Sequence, residues 1–135
     1  MRAKCISNVT NELPESLRSN RTGYRDSETL PLKIGKVYPL YAVTKYQGFF
    51  WYFVKDEAID RYPVWYPSAL FEVFDRQIPE DWAFNEAFTE GRSAHPLLGI
   101  KEWIVSPLFY DRLTDGEIEE SEVFGRYKAK YEDIL

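Results

Sequence analysis

The residues with potential for chemistry in this 135-residue chain are few and far apart. There is one cysteine, Cys5, and one histidine, His95. A nucleophilic thiol needs a base or a lowered pKa, and no histidine lies near Cys5 in the chain. Cys5 therefore reads as a small buried apolar residue. A lone cysteine also excludes an intrachain disulfide and fits a reducing compartment. His95 precedes Pro96 in a Gly/Ser-containing stretch and reads as a loop residue. A metal site needs several ligands, and a Ser-His-Asp arrangement needs partners that the spacing does not place. No metal and no cofactor is expected. The carboxylate pairs Asp56-Glu57, Glu80-Asp81 and Glu119-Glu120 do not converge, because adjacent residues diverge on strands and on helices. Each pair reads as solvated surface charge. No glycine-rich loop is present to cradle a phosphate. The chain is not expected to be an enzyme.

Charge and aromatic content point to contact with a partner instead. The net charge of −5 is unevenly spread. Residues 1–48 carry eight Lys/Arg against four Asp/Glu, residues 49–110 five against ten, and residues 111–135 four against eight. The acidic balance after residue 48 argues against general nucleic-acid affinity, which relies on clustered Lys/Arg. An acidic face suits a basic protein partner and steers its approach, although ordinary solubilising charge is the plainer use. Aromatic residues make up 17% of the chain, more than a small core needs, so some are expected on a surface that meets a partner. The candidate contacts are Trp51, Tyr52, Trp65 and Tyr66, with Asp56, Glu57 and Asp60 on the adjacent turn. No apolar run approaches the ~18 residues that span a membrane. Met1-Arg2-Ala3-Lys4-Cys5-Ile6 lacks the apolar region of a signal peptide. A cytoplasmic location is expected.

The elements that must position these residues read mostly as strands. Ala3 to Ser7 predicts a first strand with Ala3, Cys5 and Ser7 on one face. Asn8 to Glu28 is a long polar connection holding Arg18, Arg21, Tyr24 and Arg25, either a binding loop or a solvated one. Leu32 to Val43 predicts one strand, bulged or on an edge at Pro39. Lys45 to Gly48 is a hairpin turn, and Phe49 to Val54 the next strand. Asp56 to Arg61 is an acidic turn. Tyr62 to Tyr66 is a strand, Pro67 to Leu70 a helical turn, and Phe71 to Phe74 a fifth strand. Trp82, Phe84 and Phe88 predict a further strand, followed by a loop over Thr89 to Pro96. Ile100 to Val105 starts a helix that buries Trp103 and Ile104. Ser106-Pro107 restarts it with an N-cap, turning Leu108, Phe109 and Leu113 inward. Thr114 to Glu117 has capping-box spacing. Phe124, Tyr127, Tyr131 and Ile134 then make one helical stripe.

Lys4-Cys5-Ile6 opens the strand block, Leu32-Lys33-Ile34-Gly35-Lys36-Val37-Tyr38 follows, and Tyr66-Pro67-Ser68-Ala69-Leu70-Phe71-Glu72 closes it. Over residues 2–75 this pattern resembles the Src-homology-3-like barrels, and more closely their small bacterial and phage members. The resemblance implies a five-stranded β-barrel. Residues 76–135 are expected to pack on it as a strand or hairpin and helices, giving one α+β domain over residues 1–135. The chain departs from peptide-binding members, which carry an Ala-Leu-Tyr-Asp-Tyr segment and a Tyr where Leu70 stands. A polyproline groove would be incomplete. The superfold hosts many functions. The expected function is a non-enzymatic protein-binding module, an immunity- or antitoxin-like inhibitor or phage-borne modulator that occludes a basic cleft. The alternative is a nucleic-acid- or ribosome-associated barrel using Arg18, Arg21, Arg25, Lys33 and Lys36. The surplus aromatics would equally serve a homodimer interface.

Overall fold

Alternation decides the orientation of the first strand, β1, at Arg2–Cys5. Ala3, Cys5 and the following Ser7 are buried, while Lys4 and Ile6 face solvent. This computed structural model describes residues 1–17 and 28–132, so Arg18, Arg21, Tyr24 and Arg25 lie outside the described residues. Seven further strands follow among the described residues: β2 at Val37–Pro39, β3 at Ala42–Tyr46, β4 at Phe49–Val54, β5 at Val64–Pro67, β6 at Phe71–Asp75, β7 at Trp82–Glu90 and β8 at Ser93–Ile100. Three α-helices close the described chain: α1 at Lys101–Val105, α2 at Phe109–Thr114 and α3 at Ile118–Glu132. None of the described helices is long and apolar enough to cross a membrane.

The strands form two antiparallel sheets, ordered β2-β1-β6 and β5-β4-β3-β8-β7. The fold is α+β, and the described residues form no closed barrel. Leu32 to Val43 is not one strand, because the backbone changes sheets at Leu40-Tyr41. The Leu40 N–H donates to Met1 O at 3.0 Å, on the β1 side, and the Tyr41 N–H donates to Phe53 O at 2.9 Å, on the β4 side. Pro39, which has no donor, ends β2 just before the change.

Two tight turns set the register of the larger sheet. Tyr46 pairs with Phe49 across Gln47 and Gly48, whose φ values of 51° and 82° suit a two-residue primed turn. Glu90 pairs with Ser93 across Gly91-Arg92. The expected loop over Thr89 to Pro96 is therefore the end of β7, a two-residue turn and the first half of β8. Pro96 is tolerated in this strand because it falls where the β7–β8 register shifts, between the pairs Asn85–Leu97 and Phe88–His95.

β8 adds to the edge of β3, with Ala42 opposite Gly99 and Thr44 opposite Leu97. Gly99 is required by this approach. A Cβ built there would lie 2.7 Å from both Ala42 Cβ and Tyr41 O. The chain then turns directly into α1, which buries Trp103 and Ile104 as the sequence predicts.

Three helical expectations are corrected. Leu108 is 52% exposed rather than turned inward. Ser106 contributes its backbone carbonyl, accepting from the Phe109 N–H at 3.1 Å, rather than a side-chain cap. The Thr114 hydroxyl donates to Asp111 O and forms no capping box. The stripe on α3 holds for Phe124 and Tyr131, which pack on Tyr41 with ring centroids 4.9 and 5.6 Å away. Ile134 lies outside the described residues. The Tyr131 hydroxyl accepts from Trp82 Nε1 and donates to Asp81 Oδ1, both at 3.0 Å, which ties α3 to the start of β7.

Gly99→Ala is expected to lower stability by about 1–3 kcal/mol, the usual cost of overpacking. A reduced midpoint in urea unfolding, with an unchanged slope, checks this.

Candidate functional site

Residues directly opposite on neighbouring strands share a sheet face. Thr44 lies opposite both Trp51 and Leu97, Phe53 opposite Trp65, Phe88 opposite His95 and Glu90 opposite Ser93. Stepping by two along each strand puts all of them on one face of the five-stranded sheet. α1 and α2 cover part of that face. Trp103 and Tyr110 stand edge-on to Phe53, 4.7 and 5.5 Å away, and stack on each other at 5.0 Å.

Between helices and hairpin lies a cleft of about 340 Å³. Its walls are Tyr46, Phe53, Trp65, Trp103 and Tyr110, and its polar groups come from Thr44, Glu90, Ser93 and His95. Trp65 is 37% exposed and stacks at 4.6 Å on the buried Trp51. The Tyr110 hydroxyl donates to Pro63 O at 2.7 Å. Burial pushes that phenol's pKa up, with the nearby Tyr62 and Glu90 adding to the shift.

Two short contacts constrain the protons of the polar corner. Thr44 Oγ1 donates to Pro96 O at 2.8 Å and lies 2.7 Å from His95 Nδ1. A hydroxyl has one proton and a carbonyl none, so Nδ1 must carry the proton of the second bond. The neutral imidazole then has its lone pair on Nε2, which lies 3.8 Å from Glu90 Oε2. The trio looks like a hydrolytic triad but is arranged differently. A nucleophilic hydroxyl must be open to substrate and give its proton to the imidazole. Thr44 is 2% exposed and gives its proton to a carbonyl.

The residues expected as contacts scatter. Trp51, Asp56 and Tyr66 are buried. Trp51 Nε1 donates to Tyr46 O at 3.1 Å. Asp56 Oδ1 accepts from the Ala58 and Ile59 N–H groups at 2.9 and 2.8 Å, and its Oδ2 accepts from the Tyr66 hydroxyl at 2.6 Å. Asp56 is thus the inward-facing organiser of the turn, placed there because a short acceptor can satisfy two turn amides at once. Tyr52 is half-buried, 5.9 Å from Phe71, on the face of β4 away from the cleft. Glu57 is engaged by Lys36 Nζ at 2.6 Å and by the Tyr38 hydroxyl at 2.7 Å. Those two hydrogen bonds hold its carboxyl below the usual range, against a smaller opposing effect of burial. Lys33 also lies 4.0 Å from Glu57, so the basic pair of the nucleic-acid reading is partly neutralised. Asp60 is exposed but paired with Lys55 at 3.1 Å and Lys128 at 2.9 Å. Trp65 alone among the expected contacts lines the cleft.

The cleft residues that sequence reasoning missed include Thr44, Glu90, His95, Trp103 and Tyr110. The alternation Ser93, His95, Leu97 was a usable strand signal, hidden by Pro96. No protein-family model, curated protein or solved structure matches this chain.

Asp56→Ala is expected to cost about 2–4 kcal/mol, since it strands a buried hydroxyl and two turn amides. Asp60→Asn should leave the urea midpoint close to that of the original chain, because exposed ion pairs contribute little. Stability should also fall in acid. Asp81 resembles Glu57: burial pushes its carboxyl up, but hydrogen bonds from Lys130 and Tyr131 outweigh this and hold it low. For both groups the unfolded chain protonates first, so stability declines as pH drops below about 4. The contribution is gone below the folded-state values. Glu57→Gln should flatten that acid limb in urea midpoints measured across pH.

Proposed function

We propose that the protein is a non-enzymatic binding module that acts by stoichiometric contact with a partner protein of basic surface. An immunity- or antitoxin-like inhibitor, or a phage-borne modulator, is the role that suits such contact. One observation carries the reading: an aromatic-walled cleft whose single carboxylate, Glu90, has no Lys or Arg beside it among the described lining residues. Aromatic anchors in a pocket supply binding energy, and an acidic rim speeds and orients the approach of a basic partner. The net charge of −5 acts in the same direction at longer range. The contact surface is accordingly placed at Trp65 and the cleft rather than on the acidic turn.

Residues 1–75 are read as an Src-homology-3-like unit that the β7–β8 hairpin extends. This is supported by the passage of the backbone from one sheet into the other at Leu40-Tyr41 and by the 3-10 turn at Ser68–Leu70 that leads directly into β6. A cytoplasmic setting fits the lone thiol of Cys5, buried and raised in pKa by that burial.

The test is affinity capture from lysate of the source cells, with the original chain and Glu90→Lys side by side. The expected result is one basic protein in equimolar amount, released by raised salt and held at least ~10-fold more weakly by the variant. Recovery of nucleic acid alone, or of the same protein equally by both chains, would overturn the reading.

A further inference from the structure

We infer that the cleft is a receptor for the guanidinium group of an arginine side chain presented by the partner. The inference rests on the binding-module reading and specifies the group that enters the cleft. It starts from unmatched acceptors. With Nδ1 protonated toward Thr44, the neutral imidazole of His95 offers a lone pair at Nε2. Glu90 Oε2, 3.8 Å away, is also an acceptor. No described donor lies within hydrogen-bond distance of either atom. The ligand must therefore bring N–H groups, and more than one. It must be cationic, because Glu90 is the charged group of the cleft. It must also carry a flat face, because Trp65 and Tyr46 present aromatic rings and Trp65 is the more open of the two.

A guanidinium meets all three conditions. It is planar, permanently charged, stacks on aromatic rings and carries five donors in a fixed fork. One edge can donate to Glu90 and His95 together while the plane lies on Trp65. A primary ammonium has donors but no plane to stack. A quaternary ammonium has no N–H to give. An anion would face two acceptors. The volume of about 340 Å³ suits a side chain rather than a folded segment.

The experiment uses the full chain and three capped tripeptides, Gly-Arg-Gly, Gly-Lys-Gly and Gly-citrulline-Gly, titrated by two-dimensional NMR at mildly alkaline pH. Because His95 is the single histidine, its ring nitrogens are assigned without ambiguity. The free protein should show the Nδ1–H tautomer. The arginine peptide should produce saturable shifts at Trp65 and move the Nε2 resonance in the direction of an accepted hydrogen bond. The lysine peptide should bind at least ~10-fold more weakly, and the uncharged citrulline peptide should not saturate. Glu90→Gln should weaken the arginine peptide by ~10-fold or more. Glu90 is on the surface, so an unchanged urea midpoint should accompany that loss. Equal binding of the arginine and lysine peptides, or no binding of either, would overturn the inference. If a basic protein is still captured in a Glu90-dependent way, the binding-module reading survives that failure. If the arginine peptide binds as expected and no protein partner is captured, the guanidinium receptor stands and the partner reading falls.

Discussion

The contact on which the rest of the molecule depends is the close approach of β8 to β3 at Ala42 and Gly99. Two backbones can meet there because Gly99 has no side chain to hold them apart. The Ile100 N–H then reaches Tyr41 O at 3.2 Å. This single seam lengthens the sheet by a whole hairpin. It brings Pro96 O and the imidazole of His95 within reach of Thr44. It also delivers the chain straight into α1, so that Trp103 arrives over Phe53. The cleft is a consequence of that seam rather than a property of any one element.

Aromatic rings make up much of the internal bracing. β4 carries Phe49, Trp51 and Phe53 on one face and Phe50 and Tyr52 on the other. Trp51 and Phe53 stack on Trp65, and Phe53 also meets Trp103 and Tyr110 of the short helices. A five-residue helix such as α1 has little stability of its own and relies on such packing. Aromatic rings suit the task because each covers a large area and Tyr and Trp also provide a polar tip. Those tips mostly find partners: Tyr66 on Asp56, Tyr110 on Pro63, Tyr131 on Asp81 and Tyr38 on Glu57. The hydroxyl of Tyr41 is buried with no partner among the described residues. Most of the aromatic surplus is therefore spent inside; the aromatic residues left exposed include Trp65 at the cleft and Phe50, Phe74 and Phe84 away from it.

The acidic turn shows why charge in a sequence is a weak guide to surface. Asp56, Glu57 and Asp60 look alike as letters. One is buried and organises a turn, one is held by a lysine and a tyrosine, and one bridges two lysines at the surface. Their environments differ because the strands on either side direct each side chain differently. A run of carboxylates says nothing of which amides and cations the fold will bring to each.

Local pattern determined the strands whose alternation is strong and whose turns are short. β1, β4, the hairpin at Gln47-Gly48, the turn before β6 and the buried pair Trp103-Ile104 all follow from spacing within a few residues. Period-two alternation and turn chemistry act over neighbouring residues, so a single stretch of sequence contains the whole signal. Tertiary structure alone decided that Leu32 to Val43 divides between two sheets, that Pro96 lies in a strand, and that Thr44, Glu90, His95 and Trp65 meet. Those outcomes depend on which edge pairs with which and on the register of the pairing. A shift of one residue would turn every side chain to the opposite face. Register between distant strands is set by the packing of the whole sheet, and no window of the sequence contains it.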